Sequence, residues 1–301
     1  NRFMTPYTIM NHLSFIIIEA LQPDMERKIL SDYSHHLLSL GILCSIPATL
    51  AALHTFTPHQ IQEQFVFQYS DPSVLTAWTS AYFHSDTSHL QSNLIGYAIA
   101  IFPTYFLYDY WDRRRRFWVI VVLLLVITPL VTALISYTLG YLQWEIFIGE
   151  ITSRGFSGIA SAFGGMLLGG VTLFSATEYG WLNALNVTMT IILVGMIILT
   201  YVSGILTPTI GGLLIIGILG TTSVFLTVDD VKDRSHLRSR VRENRVNLSY
   251  IVYCGFVVSA IIAMIFPLNV VQDDIFVNII AHGSGFVSGA LITLIVGSLS
   301  T

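Results

Sequence analysis

Charged residues are scarce in this chain of 301 residues, of which 11% are charged and 53% are hydrophobic. Soluble domains carry about 25% charged residues, so roughly half of the usual charge is missing. The mean hydropathy is +0.70. The apolar residues form runs of about twenty, the length that crosses the hydrocarbon core of a bilayer. The sequence therefore predicts an all-α polytopic membrane protein rather than a soluble domain.

Cysteine is scarce as well, because Cys44 and Cys254 are the only two and both lie inside apolar runs. This usage predicts no disulfide framework, no metal cluster and no redox motif. The net charge of −4 gives no reason to expect nucleic acid as a partner, since no basic patch is interleaved with aromatic residues. No cofactor is predicted from the composition or the motifs.

Eight apolar runs alternate with polar segments, and we interpret residues 36–301 as one membrane domain. Residues 1–35 mix apolar and charged side chains and are interpreted as a cytoplasmic or interfacial segment. Residues 57–82 are polar and aromatic and suit a loop at the membrane surface. The predicted spans are about residues 37–56, 84–107, 117–139, 157–175, 181–204, 210–227, 249–267 and 276–297.

The distribution of Lys and Arg predicts the orientation. With eight spans and a cytoplasmic N-terminus, the cytoplasmic segments hold every Lys and Arg except Arg154. An excess of these residues inside is the usual bias of membrane proteins, so the N-terminus is predicted to be cytoplasmic. The start of the fourth span then lies toward the extracellular face, and the cell membrane is the expected location.

The fourth span opens with Gly-Phe-Ser-Gly at residues 155–158. On a helix, Ser157, Ser161, Gly165 and Gly169 form one stripe of small side chains, which lets a neighbouring helix approach closely in a bilayer. Ser157 would then be one more small residue in a packing seam. A tetrapeptide of this kind arises by chance in about one such chain in ten, so its meaning depends on a nearby base and oxyanion donors.

Several histidines lie within predicted spans and near their outer ends, among them His84 and His89 in the second span and His282 in the eighth. Ionisable groups inside a bilayer are costly and usually functional. A single one is as often a packed residue that caps a carbonyl, and for His84 considered alone we prefer that interpretation. However, Ser157, His282, His89 and Asn93 share one depth, and coincidence is a poor explanation for four such groups.

This set of side chains fits acyl transfer. A serine hydroxyl becomes a nucleophile when a neutral histidine accepts its proton, and the same histidine then protonates the leaving amine. The Ser157 backbone N–H, His89 and Asn93 are candidate donors to the developing oxyanion. No Asp or Glu lies in the outer part of the fourth or eighth span. A Ser–His dyad is therefore predicted instead of a triad.

In their order and spacing these residues resemble the rhomboid family of intramembrane serine proteases. The resemblance covers about residues 84–175 and 275–297, with the first span added by topology. The residues that match are Phe83, His84, His89, Leu90 and Asn93, then Gly155 to Gly158, then Ala281, His282, Gly285 and Gly289.

The resemblance implies a role for each residue of the proposed site. Ser157 would be the nucleophile and His282 the base, while His89 and Asn93 would donate to the oxyanion. Of the remaining matches, His84 would be a supporting histidine and Gly155 would support the same site.

Three features depart from the family pattern. Leu75 and Thr76 stand where the first outer loop often has a Trp-Arg pair, which leaves the anchoring of that loop open. Ser161 stands where a bulky aromatic often packs on the catalytic histidine, so the group that orients His282 is open too. Three spans, instead of the usual one, separate the serine and histidine helices. We therefore expect a rhomboid-like six-helix core with two additional transmembrane helices, and either pair of intervening helices fits.

The implied function is hydrolysis of peptide bonds in or near transmembrane segments, with membrane-protein substrates that enter sideways from the lipid bilayer. No metal or nucleotide is implied. A second hypothesis is a rhomboid-like protein that binds membrane segments without cutting them, although inactive relatives usually lack the serine or the histidine. A third is a transporter with a polar path, which would place ionisable residues at several depths instead of one.

The geometry that the dyad requires can be stated in advance. The fourth and eighth spans are expected to pack directly through their small residues. The Ser157 hydroxyl oxygen is expected within about 4 Å of a His282 ring nitrogen, allowing for the slack of a site without substrate. His89 and Asn93 are expected to open onto the same pocket, and the additional helices are expected at the periphery.

The predicted topology can be tested by cysteine labelling in intact cells. After replacement of Cys44 and Cys254, a cysteine at Arg154 should react with an impermeant thiol reagent, because that position is predicted to be extracellular. A cysteine at Arg240 should be protected until the membrane is permeabilised. The reverse pattern would place the proposed site on the cytoplasmic face.

Overall fold

The computed structural model describes residues 34–146, 152–228, 244–265, 271–272, 275–276 and 278–299. Most of these residues are helical. The chain divides into two compact units, residues 1–51 and residues 52–301. The predicted N-terminal segment 1–35 lies outside the described residues as far as residue 33, and so does most of the predicted cytoplasmic segment 228–248.

We number the α-helices and β-strands of the described residues in chain order. Two short pairs of antiparallel strands accompany the helices, β1 with β2 and β3 with β4. The strands are β1 (Phe67–Gln68), β2 (Thr152–Ser153), β3 (Val271–Gln272) and β4 (Ile275–Phe276). The helices are α1 (Ser34–Phe56), α2 (His59–Gln62), α3 (Val74–Thr79), α4 (Thr87–Tyr110), α5 (Arg114–Ile135), α6 (Ser157–Tyr179), α7 (Trp181–Val202), α8 (Pro208–Val228), α9 (Arg245–Ile265) and α10 (Ile279–Ser298).

Irregular helical segments complete the chain. Helix α5 continues as a π-helix over Ser136–Gln143, four residues beyond the predicted end of the third span. The predicted surface loop 57–82 contains α2, β1 and α3 together with two 3-10 turns, Glu63–Phe65 and Ser80–Tyr82.

Within the described part of the chain, six helices are long and apolar enough to cross a bilayer, namely α1, α5 with its continuation, α6, α7, α9 and α10. The prediction of a multi-pass, all-α membrane protein is thereby confirmed. The other two predicted spans correspond to α4 and α8, which have 24 and 21 residues. A crossing by these two helices stays a prediction.

Several predicted span boundaries differ from the helices by three or four residues, and at two helix starts a capping side chain explains the difference. Helix α4 begins at Thr87 because the Asp86 carboxylate accepts the His89 backbone N–H at 2.8 Å, so His84 precedes the helix. Helix α10 begins at Ile279, three residues later than predicted, because the Asn278 side chain caps it. Hydropathy alone does not register either cap.

Helix α6 forms the core of the larger unit. In its apolar window 94% of the residues are buried, compared with 17% for α7. The helix packs against α4, α5, α7, α9 and α10. Helix α8 packs on α7, which in turn packs on α6 and α9. The pair α7–α8 therefore lies toward the periphery, and the described contacts place α6 directly against α10.

Helices α6 and α10 approach each other backbone to backbone. A Cβ atom added to Gly285 would lie 2.2 Å from the Gly158 carbonyl oxygen, and one added to Gly289 would lie 1.9 Å from the Ala162 carbonyl oxygen. Real Cβ atoms cannot come so close, so both positions require glycine. The paired residues advance along both helices in the same direction, which makes the helices parallel. The prediction that the fourth and eighth spans pack directly is confirmed.

The segment between α1 and α4 is anchored on helix α5 at a proline. Pro129 has no N–H to donate to the Leu125 carbonyl, one turn earlier. The Tyr82 hydroxyl donates to that carbonyl at 2.6 Å, and the Trp78 indole N–H donates to the Val126 carbonyl at 3.1 Å. Burial raises the pKa of Tyr82 to about 12, so its hydroxyl keeps the proton that it donates. The Leu125 carbonyl that the proline frees and the neighbouring Val126 carbonyl thus fix this segment.

The α6–α10 contact can be tested with two glycine substitutions. Gly289→Ala should destabilise the protein by about 1–3 kcal/mol, because the new methyl group forces the paired helices apart. Gly212→Ala in α8 is the control, since a Cβ there meets nothing within 4 Å. It should be neutral or slightly stabilising, as alanine favours a helix over glycine by about 1 kcal/mol. Equal unfolding midpoints for the two variants in detergent would contradict the close approach.

Candidate active site

Ser157 is the first residue of α6 and is partly exposed, whereas the residues that follow it are buried. The first hydrogen bond within the helix joins the Ala160 N–H to the Phe156 carbonyl at 2.9 Å. The N–H groups of residues 157–159 therefore have no acceptor within the helix. They also carry the partial positive charge of the helix N-terminus, so this end of α6 favours a negatively charged oxygen.

The chain that leads into Ser157 is held on both sides. Strand β2 pairs with β1, and the Gly155 N–H donates to the Ser80 carbonyl at 3.0 Å. The Arg154 guanidinium donates to both carboxylate oxygens of Glu63, at 2.6 and 3.0 Å. This bond to Arg154 holds the pKa of Glu63 below its ordinary value. The ion pair ties the segment between α1 and α4 to the residues just before Ser157.

His84 supports the turn before α6 from a buried position. Its Nε2 atom lies 3.3 Å from the Phe156 backbone nitrogen and accepts that N–H. A ring nitrogen that accepts must carry the lone pair, so the proton of neutral His84 is on Nδ1. The predicted supporting role therefore has a definite contact, because His84 fixes the peptide that precedes Ser157.

Gly155 makes room for His89 and Asn93. Its φ of +118° favours glycine. A Cβ there would lie 2.7 Å from His89 Nε2 and 3.3 Å from Asn93 Nδ2. Asn93 is buried, and its Nδ2 has no hydrogen-bond partner in the part of the chain that the structure describes. The two donors predicted from sequence thus converge beside the backbone two residues before Ser157.

His282 is oriented by a backbone carbonyl. Its Nδ1 atom lies 2.9 Å from the carbonyl oxygen of Ile265, the last residue of α9. A carbonyl oxygen only accepts, so Nδ1 carries the proton and Nε2 of the neutral ring carries the lone pair. This is the tautomer that a general base needs. The sequence does not predict the role of Ile265, because any residue at this position would offer the same main-chain carbonyl.

Ser157 and His282 lie at the same end of the paired helices α6 and α10. The contact between Gly158 and Gly285 is one residue beyond Ser157 and three beyond His282. Within the described ranges no hydrogen bond joins the Ser157 hydroxyl to His282, and the expected separation of about 4 Å stays a prediction.

Two further observations bear on the identity of the site. Among the described residues, no group of three or more His, Cys, Asp or Glu side chains is placed to hold a metal ion. Comparison of the chain with protein-family models, curated proteins and solved structures finds no match. The function must therefore be argued from the residues and the geometry described above.

Gly155 provides a test of this arrangement. Gly155→Ala introduces both backbone strain and a methyl group against His89 and Asn93. Gly180→Ala is the matched control, because Gly180 also has a positive φ, +84°, but a Cβ there meets nothing within 4 Å. We expect Gly155→Ala to lose about 1–3 kcal/mol more unfolding free energy than the control. Equal losses would show that the His89 and Asn93 side chains do not pack on this glycine.

Proposed function

We propose that this protein is an intramembrane serine endopeptidase that cuts peptide bonds in or near the transmembrane segments of other membrane proteins. The parallel contact between α6 and α10 at Gly158 and Gly285 carries the proposal. It sets side by side the two helix ends that bear Ser157 and His282. The side chains of His89 and Asn93 reach the same end from α4.

In the proposed reaction, Ser157 and His282 act as a dyad. His282 Nε2 accepts the hydroxyl proton while the Ser157 oxygen attacks the scissile carbonyl carbon, and it then gives that proton to the departing amine. Water attacks the resulting acyl-enzyme with His282 again as the base. The bond from His282 Nδ1–H to the Ile265 carbonyl persists through both steps, so it stabilises the imidazolium without an acidic third residue.

The oxyanion formed at the scissile carbonyl would have three donors. The Ser157 N–H has no acceptor within α6 and lies at the positive end of the helix. Asn93 Nδ2 has no hydrogen-bond partner among the described residues, and burying such a group without a partner costs about 1–3 kcal/mol. An oxyanion would supply that partner. His89 completes the set from beside Gly155.

The helix contacts support a rhomboid-like core. We assign α4, α5, α6, α9 and α10 to the core helices, with α1 added by its order in the chain alone, and α7–α8 to the additional pair. Helix α9 packs on both α4 and α6, whereas α8 packs on α7. In the proposed topology the N-terminus is cytoplasmic and the active site faces outward in the cell membrane, where substrates reach it from the bilayer.

The proposal is tested with a reporter whose transmembrane helix is destabilised by small or helix-breaking residues. Ser157→Ala and His282→Ala should each reduce its cleavage by the purified protein to background. The double variant should be no worse than either single variant, because the two residues act as one unit. A serine-directed fluorophosphonate should label the wild type but not Ser157→Ala.

Ser161→Ala is the matched control for these variants. Ser161 lies one turn further along the same buried seam of α6, and its loss should leave cleavage within a few fold of wild type. Substantial cleavage by Ser157→Ala would end the serine-protease proposal. Binding of the reporter by wild-type protein with neither labelling nor cleavage would favour a protein that recognises membrane segments without cutting them.

A further inference from the structure

Two polar residues just before α4 are linked to His89, and one of them, Ser85, contacts the ring nitrogen that does not face Gly155. The Ser85 hydroxyl oxygen lies 3.1 Å from His89 Nδ1 and 2.8 Å from Asp86 Oδ2. Ser85, Asp86 and His89 thus form a short polar chain. Its far end is the Nε2 edge of His89, which lies against Gly155.

Asp86 is the acceptor of this chain. Its carboxylate receives the His89 backbone N–H at 2.8 Å and the Ser88 hydroxyl at 2.7 Å, besides the hydroxyl of Ser85. The backbone N–H of His89 and then the two hydroxyls hold the pKa of Asp86 well below its ordinary value. Asp86 is therefore a carboxylate, and a carboxylate only accepts hydrogen bonds.

One proton on the Ser85 hydroxyl determines the state of His89. The hydroxyl donates to the charged Asp86, because charge-assisted hydrogen bonds are the stronger ones. Its oxygen is then an acceptor for the ring, so His89 Nδ1 must carry a proton. A neutral His89 with its proton on Nδ1 has a bare Nε2 beside Gly155. Such a ring presents a lone pair to an oxyanion instead of a donor.

We propose that Asp86, acting through Ser85, holds the proton on His89 Nδ1, so that His89 serves the oxyanion as an imidazolium. The ring takes up a second proton from solvent at Nε2 and donates it as a hydrogen bond. His89 then contributes a positive charge as well as a donor. Ser85 and Asp86 are positioning residues in this scheme. The role of His89 toward an oxyanion rests on the proposed function, whereas the protonation state of its ring does not.

Asp86 is the negative charge that reaches the ring, through the Ser85 hydroxyl. The Arg154 charge is already paired with Glu63. His84 accepts the Phe156 N–H and is neutral in that role, and His282 must be neutral to act as the base. Asp86 is left as the charge that favours protonation of the ring. The titratable and charged groups that face His89 are Asp86, His84, His282 and Arg154.

Two serines that differ in one contact provide the experiment. Ser85 and Ser88 are both exposed and both donate to Asp86, but only Ser85 reaches the His89 ring. The full-length protein is labelled with ¹⁵N-histidine in detergent, and His89→Gln assigns the ring signals. Wild type and Ser88→Ala should show a proton on Nδ1 at every pH. They should become doubly protonated at higher pH than Ser85→Ala or Asp86→Asn.

Asp86→Asn and Ser85→Thr refine the test. Asparagine also caps helix N-termini, so Asp86→Asn removes the charge and keeps the cap. Threonine keeps the hydroxyl, so Ser85→Thr should restore the wild-type signals. A neutral wild-type ring with its proton on Nε2, or a titration that Asp86→Asn leaves unchanged, would overturn the proposal even for an active protease.

Activity provides a second readout. Cleavage by Ser85→Ala and Asp86→Asn should fall by about 10- to 100-fold in kcat/KM, as expected for a lost hydrogen bond to a charged group. The loss should grow with rising pH, because the variant ring loses its second proton earlier. Ser88→Ala should stay within a few fold of wild type. If the reporter is never cut, the proposed function fails while the ¹⁵N result still decides the state of the ring.

Discussion

The close approach of α6 and α10 is the constraint on which the rest of the site depends. In a bilayer, two helices gain little from burying apolar surface, so contact must come from packing that fits. Gly285 and Gly289 let the backbone of one helix touch carbonyl oxygens of the other. This contact fixes the relative height of the two helices to within less than a turn, and it thereby brings their N-terminal ends level.

Backbone carbonyls accept several of the hydrogen bonds that hold side chains in place in this protein. Ile265 at the end of α9 receives the His282 ring, and the carbonyls of α5 beside Pro129 receive Tyr82 and Trp78. The acceptors on α5 lie within one turn of Pro129, and Ile265 is the last residue of α9 that the structure describes. Inside a bilayer such groups must find partners, and here the partners are side chains that need a fixed position. The need to satisfy backbone carbonyls in lipid is thus met by the same hydrogen bonds that fix His282 and the segment before α4.

The sequence predicts the helices well, because apolar runs and stripes of small residues leave strong patterns. The start of α6 at Ser157 was predicted correctly, and so was its packing on α10. The position of His84 was wrong because a hydropathy window does not register the cap at Asp86. The ion pair of Arg154 with Glu63 was missed, although Arg154 is the one basic residue outside the predicted cytoplasmic segments and could have signalled a partner. The contact of His282 with Ile265 could not be predicted from the sequence, since the acceptor is a backbone carbonyl oxygen and every residue has one.

The Ile265 carbonyl has a consequence for how this protein varies. Side chains change by point mutation, but a main-chain oxygen is present whichever residue occupies position 265. A saturation screen for loss of function would therefore find His282, whereas a substitution of the buried Ile265 would report the packing of its side chain and not the carbonyl. The group that orients His282 cannot be removed by changing a side chain.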